Sequence, residues 1–183
     1  MHTPLPTPKE MARWDSMAIN EFGLRGEILM ENASRECLQV LKDRLGHLEG
    51  RTAVVFAGSG NNGGDAFALA RHLSDEGVKL LVLHTRKQGE YQGESAYHLG
   101  LAQKRNLSLF HLPEYNLDFL NHADILIDGM LGTGFEGELR QNYRGWITHI
   151  NRLAPHCFVL SIDIPSGLNG VTGRPCPTAV QAD

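Results

Sequence analysis

The sequence predicts an α/β fold in three layers: a mainly parallel sheet, helices on both of its faces, and extra helices ahead of the first strand. Two observations carry this. Short apolar runs of strand length follow Arg51, Gly77, Asn106, His122 and His156, and continuous rather than alternating apolarity suits strands buried on both faces. Segments with apolar residues at helical spacing separate most of these runs. Alternation of this kind produces parallel strands joined by right-handed crossovers.

The elements follow in order. Thr7-Pro8-Lys9-Glu10 is a capping box with proline at the first helical position. It starts a helix to about Phe22, with Met11, Trp14 and Ala18 on successive turns and Gly23 at its end. A second helix is expected from Glu27 to Arg44, with Leu29, Ala33, Cys37, Val40 and Leu41 on one face and Gly46 closing it. Glu31 within it reads as helix surface. Ala53 to Ala57 is the first strand. Gly58 to Gly64 is a glycine-rich turn, and Asp65 opens a helix with Phe67, Ala70 and Leu73 inward. Val78–Leu83 is a strand and Gly93–Lys104 a helix, with Tyr97, Leu101 and Ala102 as its apolar side. Leu107–Leu112 is a short strand, and Pro113 to Leu120 a short helical or turn segment. Ala123–Asp128 is a strand. Asn142–Leu153 is a helix with Trp146, Ile147, Ile150 and Leu153 inward, and Cys157–Ile162 is the last strand, followed by Asp163.

Composition narrows the function classes. The chain has 183 residues and a formal net charge of −4, which argues against sequence-independent nucleic-acid binding. No apolar run approaches membrane length, and the first residues lack the basic and apolar regions of a secretory signal. Cys37, Cys157 and Cys176 are odd in number and widely spaced, as in a chain kept reduced in the cytoplasm. The histidines show no metal-ligand spacing, so a zinc site is not expected.

Three loops stand at the carboxyl ends of strands: 58–65, 128–140 and 163–174. In an open parallel sheet such loops form the ligand site. They carry Asn61, Asn62, Asp65, Asp128, Thr133, Glu136, Glu138, Asp163 and Ser166. Gly58-Ser-Gly60-Asn-Asn-Gly63 matches the dinucleotide fingerprint G-x-G-x-x-G. One companion feature of that fingerprint is absent. The next strand ends in His84, Thr85 and Arg86, with no acid to hold a ribose, so a conventional dehydrogenase is disfavoured.

Taken together, Gly60-Asn-Asn-Gly-Gly-Asp65, Asp128-Gly-Met-Leu-Gly-Thr-Gly134, Asp163-Ile-Pro-Ser-Gly-Leu168 with Thr172-Gly173, and Leu29-Met-Glu-Asn-Ala33 resemble the NAD(P)H-hydrate epimerase family, over about residues 8–183. The resemblance implies a Rossmann-like fold and interconversion of the R and S epimers of hydrated NADH and NADPH. A partner dehydratase acting on the S form then restores the cofactor. It also implies that Asn61, Asn62, Gly63, Gly64 and Asp65, together with Gly132, Thr133, Gly134, Phe135, Glu136, Gly137 and Glu138, surround the substrate, with Asp163 beside the hydrated ring. Asn62, Asp128 and Ser166 would hold a potassium ion, whose hardness suits oxygen ligands. A homodimer is a further expectation. The chain departs from the family pattern in two places. Ala66 stands where the family usually has glycine, and after Asp183 the family continues into further strands, so residues 1–183 read as a single domain lacking its C-terminal strands or as the first part of a fused epimerase and dehydratase.

Epimerisation at C6 requires a proton to be donated and recovered, whether the hydroxyl leaves and water returns or the ring opens and closes. One positioned carboxyl can do both, and Asp163, followed by the rigid Ile164-Pro165 turn, is the expected catalytic group. The alternative is a binding or interaction module of the same fold without the chemistry. Intact Asn61, Asn62, Asp128, Asp163 and Ser166 argue against it.

Overall fold

The computed structural model describes residues 6–120 and 122–183, with the backbone alone at Phe119. Among the described residues, two leading helices are followed by five strands with three further α-helices between them: α1 (Pro8–Asn20), α2 (Gly26–Leu45), β1 (Thr52–Ala57), α3 (Asn61–Asp75), β2 (Lys79–His84), α4 (Gly93–Lys104), β3 (Leu109–His111), β4 (Ile125–Gly129), α5 (Gln141–Leu153) and β5 (Phe158–Ser161). The sheet order is β3-β2-β1-β4-β5, and every pairing is parallel. The expected mainly parallel sheet is thus wholly parallel among the described residues.

Strand side chains alternate between two cores. Val55 and Ile127 join Leu41, Phe67, Leu73 and Leu99 beneath α2, α3 and α4. Phe56 and Leu126 join Trp146, Ile147 and Ile150 beneath α5. Burial on both faces explains why the strand sequences are continuously apolar. Past β5 the chain returns along its edge, where the Asp183 amide donates to the Val159 carbonyl at 3.0 Å and the Asp183 carboxylate accepts from the Val159 amide at 2.9 Å.

Two expectations need correction, and one helix stands apart from the core. The capping box of α1 forms as read, but none of its residues is buried, and Trp14 is 55 % exposed. Neither core cluster includes a residue of α1, so the stripe Met11–Trp14–Ala18 stays outside the core. In α4 the buried side is Ser95, His98, Leu99 and Ala102, while Tyr97 is exposed. Finally, α3 begins at Asn61 with Gly60 as its cap, four residues before Asp65. The acid therefore lies in the helix body, and the asparagines form its first turn.

Candidate active site

Chain order reverses between β1 and β4. From β1 the chain moves through α3 to β2 on one side, and β4 and β5 lie on the other. This switch point is where an open parallel sheet binds ligands. The turn after β1 is tight: a Cβ on Gly63 would overlap the Gly58 carbonyl. The amides of Gly63 and Gly64 bond the Gly60 carbonyl at 3.0 and 3.2 Å. The amides of Asn61 and Asn62 have no partner among the described residues and open the positive end of α3 toward an anion.

Asp163 lies two residues past β5 in the left-handed region, at φ +65°, a conformation that costs energy in a non-glycine residue. Its Oδ2 accepts from the Thr133 amide at 2.6 Å and the Thr133 hydroxyl at 2.9 Å. A Cβ on Gly132 would stand 2.5 Å from this oxygen and 3.4 Å from Asn62 Cγ. All three loops therefore meet around Gly132, where only glycine leaves room. Asp163 Oδ1 has no hydrogen-bond partner among the described residues and is free to serve a ligand.

Beneath this meeting point is a buried oxygen cluster. Asp128, 1 % exposed, accepts four hydrogen bonds. Met130 N–H (3.3 Å) and Ser166 Oγ–H (2.6 Å) donate to its Oδ1, while Ser161 Oγ–H (3.0 Å) and Ser166 N–H (2.8 Å) donate to its Oδ2. Burial pushes the carboxyl pKa up, and these donors oppose the shift. Ser166 Oγ accepts from the Leu131 amide at 2.8 Å. Asn62 Nδ2 donates to the Leu131 carbonyl at 2.9 Å, which leaves Asn62 Oδ1 buried without a partner. Asn62 and Ser166 both engage the Leu131 backbone, so the three residues expected to act together converge.

Asp65 lies one turn along α3 from Asn62. Its carboxyl has no hydrogen-bond partner among the described residues. Burial first, then Asp163, then Asp15 of α1 push its pKa up from 3.8 to about 7. The Ala66 methyl faces the bare Cα of Gly129, where a Cβ would meet it at 2.6 Å, so the replacement of glycine at position 66 is absorbed inside the core rather than beside the ligand. Phe135 closes a turn on the Gly132 carbonyl at 3.0 Å. Gly134, Glu136, Gly137 and Glu138 are exposed, and Glu138 pairs with Arg144 at 3.2 Å. Those four lie outside the inner cluster.

The sequence reading missed several participants. Ser161 becomes visible as a partner only through the register that pairs it with Asp128. The Leu131 backbone carries no side-chain signal at all. Glu31 is not plain surface: its carboxylate meets Arg71 Nη2 at 2.5 Å and His72 Nε2 at 3.1 Å, and His98, 1 % exposed, lies 3.9 Å away. Burial pushes the Glu31 pKa up, but Arg71, His72 and His98 outweigh it and leave the value below the usual one.

Comparison with known proteins agrees with the motifs. Residues 26–183 match the family model described as YjeF-related protein N-terminus. An NAD(P)H-hydrate epimerase of Rhodopirellula baltica is 33 % identical over 184 residues, covering all of this chain and 73 % of that protein. One from Pirellula staleyi is 36 % identical, covering 92 % of this chain and 74 % of its own length. The bifunctional NAD(P)H-hydrate repair enzyme Nnr of Salinibacter ruber is 32 % identical, covering 98 % of this chain and 35 % of that protein. The crystal structure of yeast ynu0, YNL200c, superposes with a TM-score of 0.82 at 21 % identity, over 98 % of this chain and 78 % of that one, which supports the fold. This chain belongs to the family of the YjeF-related protein N-terminus, among the relatives named NAD(P)H-hydrate epimerase.

Proposed function

We propose that the chain is an isomerase that interconverts the R and S epimers of hydrated NADH and NADPH. One observation carries the reading: at the switch point, beside the open N-terminus of α3, the Asp163 carboxyl is clamped through one oxygen and free at the other. Thr133 holds Asp163 Oδ2 through two hydrogen bonds, so Oδ1 is the atom that would exchange a proton with the C6 substituent. Starting as the carboxylic acid, Asp163 gives its Oδ1 proton to the hydroxyl, which departs as water; the C6–O bond breaks and the ring nitrogen shares the positive charge. Water then adds to the other face and returns its proton to the same oxygen, so the carboxyl ends the cycle as it began. The amides of Asn61 and Asn62 suit the pyrophosphate. Gly63, Gly64, Asp65 and the segment from Gly132 to Glu138 would complete the substrate enclosure.

Asn62, Asp128 and Ser166 fit a potassium ion. The donors are all oxygens, as a hard cation of low charge requires, and the unpartnered Asn62 Oδ1 lacks only a positive partner. Such an ion would supply positive charge near the substrate and order the asparagine turn. The bifunctional repair enzymes among the relatives support a dehydratase as functional partner, acting in sequence or fused. We place a homodimer contact on the exposed side of α1 and the turn that follows it, where Trp14 and Phe22 are 55 % and 73 % exposed. The three free cysteines suit a cytoplasmic location. Among the described residues, no helix is long and apolar enough to cross a membrane.

The test is epimer exchange on a pure R or S preparation, followed by chiral chromatography at saturating substrate. Asp163→Asn keeps the size and one acceptor oxygen but cannot exchange a proton. It should lower turnover about 10²–10⁴-fold, down to the spontaneous rate, while substrate still binds. Near-normal turnover at saturation would remove Asp163 from the catalytic role.

A further inference from the structure

We propose that the carboxyl end of β2 receives the adenosine half of the substrate and selects its 2′-phosphorylated form, with Arg86 and Lys87 meeting that phosphate. The inference rests on the function proposed above and adds to it a preference for hydrated NADPH over hydrated NADH.

The direction in which the substrate must lie follows from the sheet. Asp163 belongs to the β5 side of β1, and the open amides of Asn61 and Asn62 lie directly after β1. A dinucleotide with its reacting ring at Asp163 and its pyrophosphate at those amides extends its adenosine the opposite way, over β2. The register places His84 beside Ala57, and the Thr85 amide donates to the Ala57 carbonyl at 3.0 Å. The chain leaving β2 therefore runs alongside the start of the glycine turn, within reach of a ribose.

The residues at that point are wrong for a ribose diol and right for a phosphate. A diol is held by a carboxylate that accepts from its hydroxyls, and none stands at positions 84–87. Arg86 is anchored by its backbone. His84 is buried and donates its Nδ1 proton to the Arg86 carbonyl at 2.6 Å, and its ring stacks on His111 at 5.8 Å between centroids. The Arg86 guanidinium leaves this fixed point into solvent, with its side chain 52 % exposed, and the Glu90 carboxylate 4.0 Å away is beyond hydrogen-bond reach. Such an exposed pair contributes little, so a phosphate dianion that accepts the guanidinium fork bidentately displaces it. Lys87 is exposed and forms no ion pair among the described residues. The other nearby acid, Glu114, is engaged by His111 at 3.0 Å.

The experiment has two arms, on the wild type and on Arg86→Ala. Calorimetry compares adenosine 2′,5′-bisphosphate, adenosine 3′,5′-bisphosphate and AMP at one ionic strength. Kinetics compares kcat/KM for hydrated NADPH and hydrated NADH. The wild type should bind the 2′,5′-bisphosphate at least about tenfold more tightly than the other two, and Arg86→Ala should bring the ratios near one, since a charge-assisted hydrogen bond corresponds to about ten- to a hundredfold. The kcat/KM ratio should fall in parallel. Equal wild-type affinities, a 3′,5′-bisphosphate that binds as tightly, or an Arg86→Ala variant that keeps its preference would overturn the site. The two failures are separable. A chain that discriminates the 2′-phosphate but epimerises nothing contradicts the proposed reaction alone. One that epimerises both substrates with equal kcat/KM contradicts the adenosine site alone.

Discussion

Asp65→Asn should make the protein more stable, and by an amount that depends on pH in a predictable way. The wild-type carboxyl is partly withdrawn from water, has no hydrogen-bond partner among the described residues, and faces Asp163 and Asp15. Burial chiefly, and those two acids after it, push its pKa from 3.8 to about 7. A shift of roughly 3 units at about 1.36 kcal/mol each corresponds to ~4 kcal/mol. The folded pKa is raised, so between pH 3.8 and 7 the folded state keeps a proton that the unfolded chain has lost. Wild-type stability therefore falls as pH rises through that window, and the full penalty applies above it. Asparagine cannot ionise and escapes the penalty. The stability difference should be near zero at pH 4 and reach about 2–4 kcal/mol in favour of the variant at pH 8. Urea unfolding of both proteins, followed by tryptophan fluorescence from pH 4.5 to 8, measures this directly, because other titrating groups cancel in the difference. Salt should reduce the share due to Asp163 and Asp15 more than the share due to burial. A stability difference independent of pH, or an asparagine variant less stable at pH 8, would refute the reasoning.

Two further substitutions test the buried polar clusters. In Asp128→Asn, either orientation of the amide turns its NH2, a donor, toward two donors, so a loss of about 2–4 kcal/mol is expected, together with loss of any stabilisation by potassium over a large organic cation. Thermal unfolding in the two salts checks both, and a variant as stable and as cation-sensitive as the wild type would count against the cluster. Glu31→Ala leaves Arg71, only 16 % exposed at its side chain, beside the buried His98 without a carboxylate. Because Glu31 itself is 28 % exposed, the cost should be about 2–3 kcal/mol rather than the full penalty of a buried pair. Its lowered folded pKa means this stabilisation is present above the unfolded value and is lost as pH falls. Denaturation midpoints at pH 7 and pH 4 decide it, and a change below about 0.5 kcal/mol would show a solvated surface pair.

What could be read from the chain, and what could not, divides along a physical line. A strand buried on both faces must be continuously apolar, so β1, β2, β4 and β5 announce themselves, and their alternation with helices fixes the parallel sheet. The three loops at the carboxyl ends of strands are legible for the same reason, since strand ends in such a sheet converge whatever their sequence. What sequence period cannot show is which partner an element finds. The stripe on α1 has the spacing of a core-facing helix, yet none of its residues is buried. The exposed side of α4 was assigned inward because Tyr97 is apolar, whereas His98 is the residue drawn in, by the Glu27 carbonyl at 3.2 Å and Arg71 at 3.4 Å. Backbone participants such as the Leu131 carbonyl carry no residue signature. Asp65 is the instructive case. As a residue type at a helix start it reads as a cap, the most ordinary use of an aspartate, but Gly60 caps that helix and leaves the acid half-buried without a hydrogen bond among the described residues. A cap would add about 1 kcal/mol, whereas the raised pKa of this carboxyl opposes folding. An acid kept where it weakens the fold, one turn from Asn62 and facing Asp163, is what a binding surface demands and a scaffold does not.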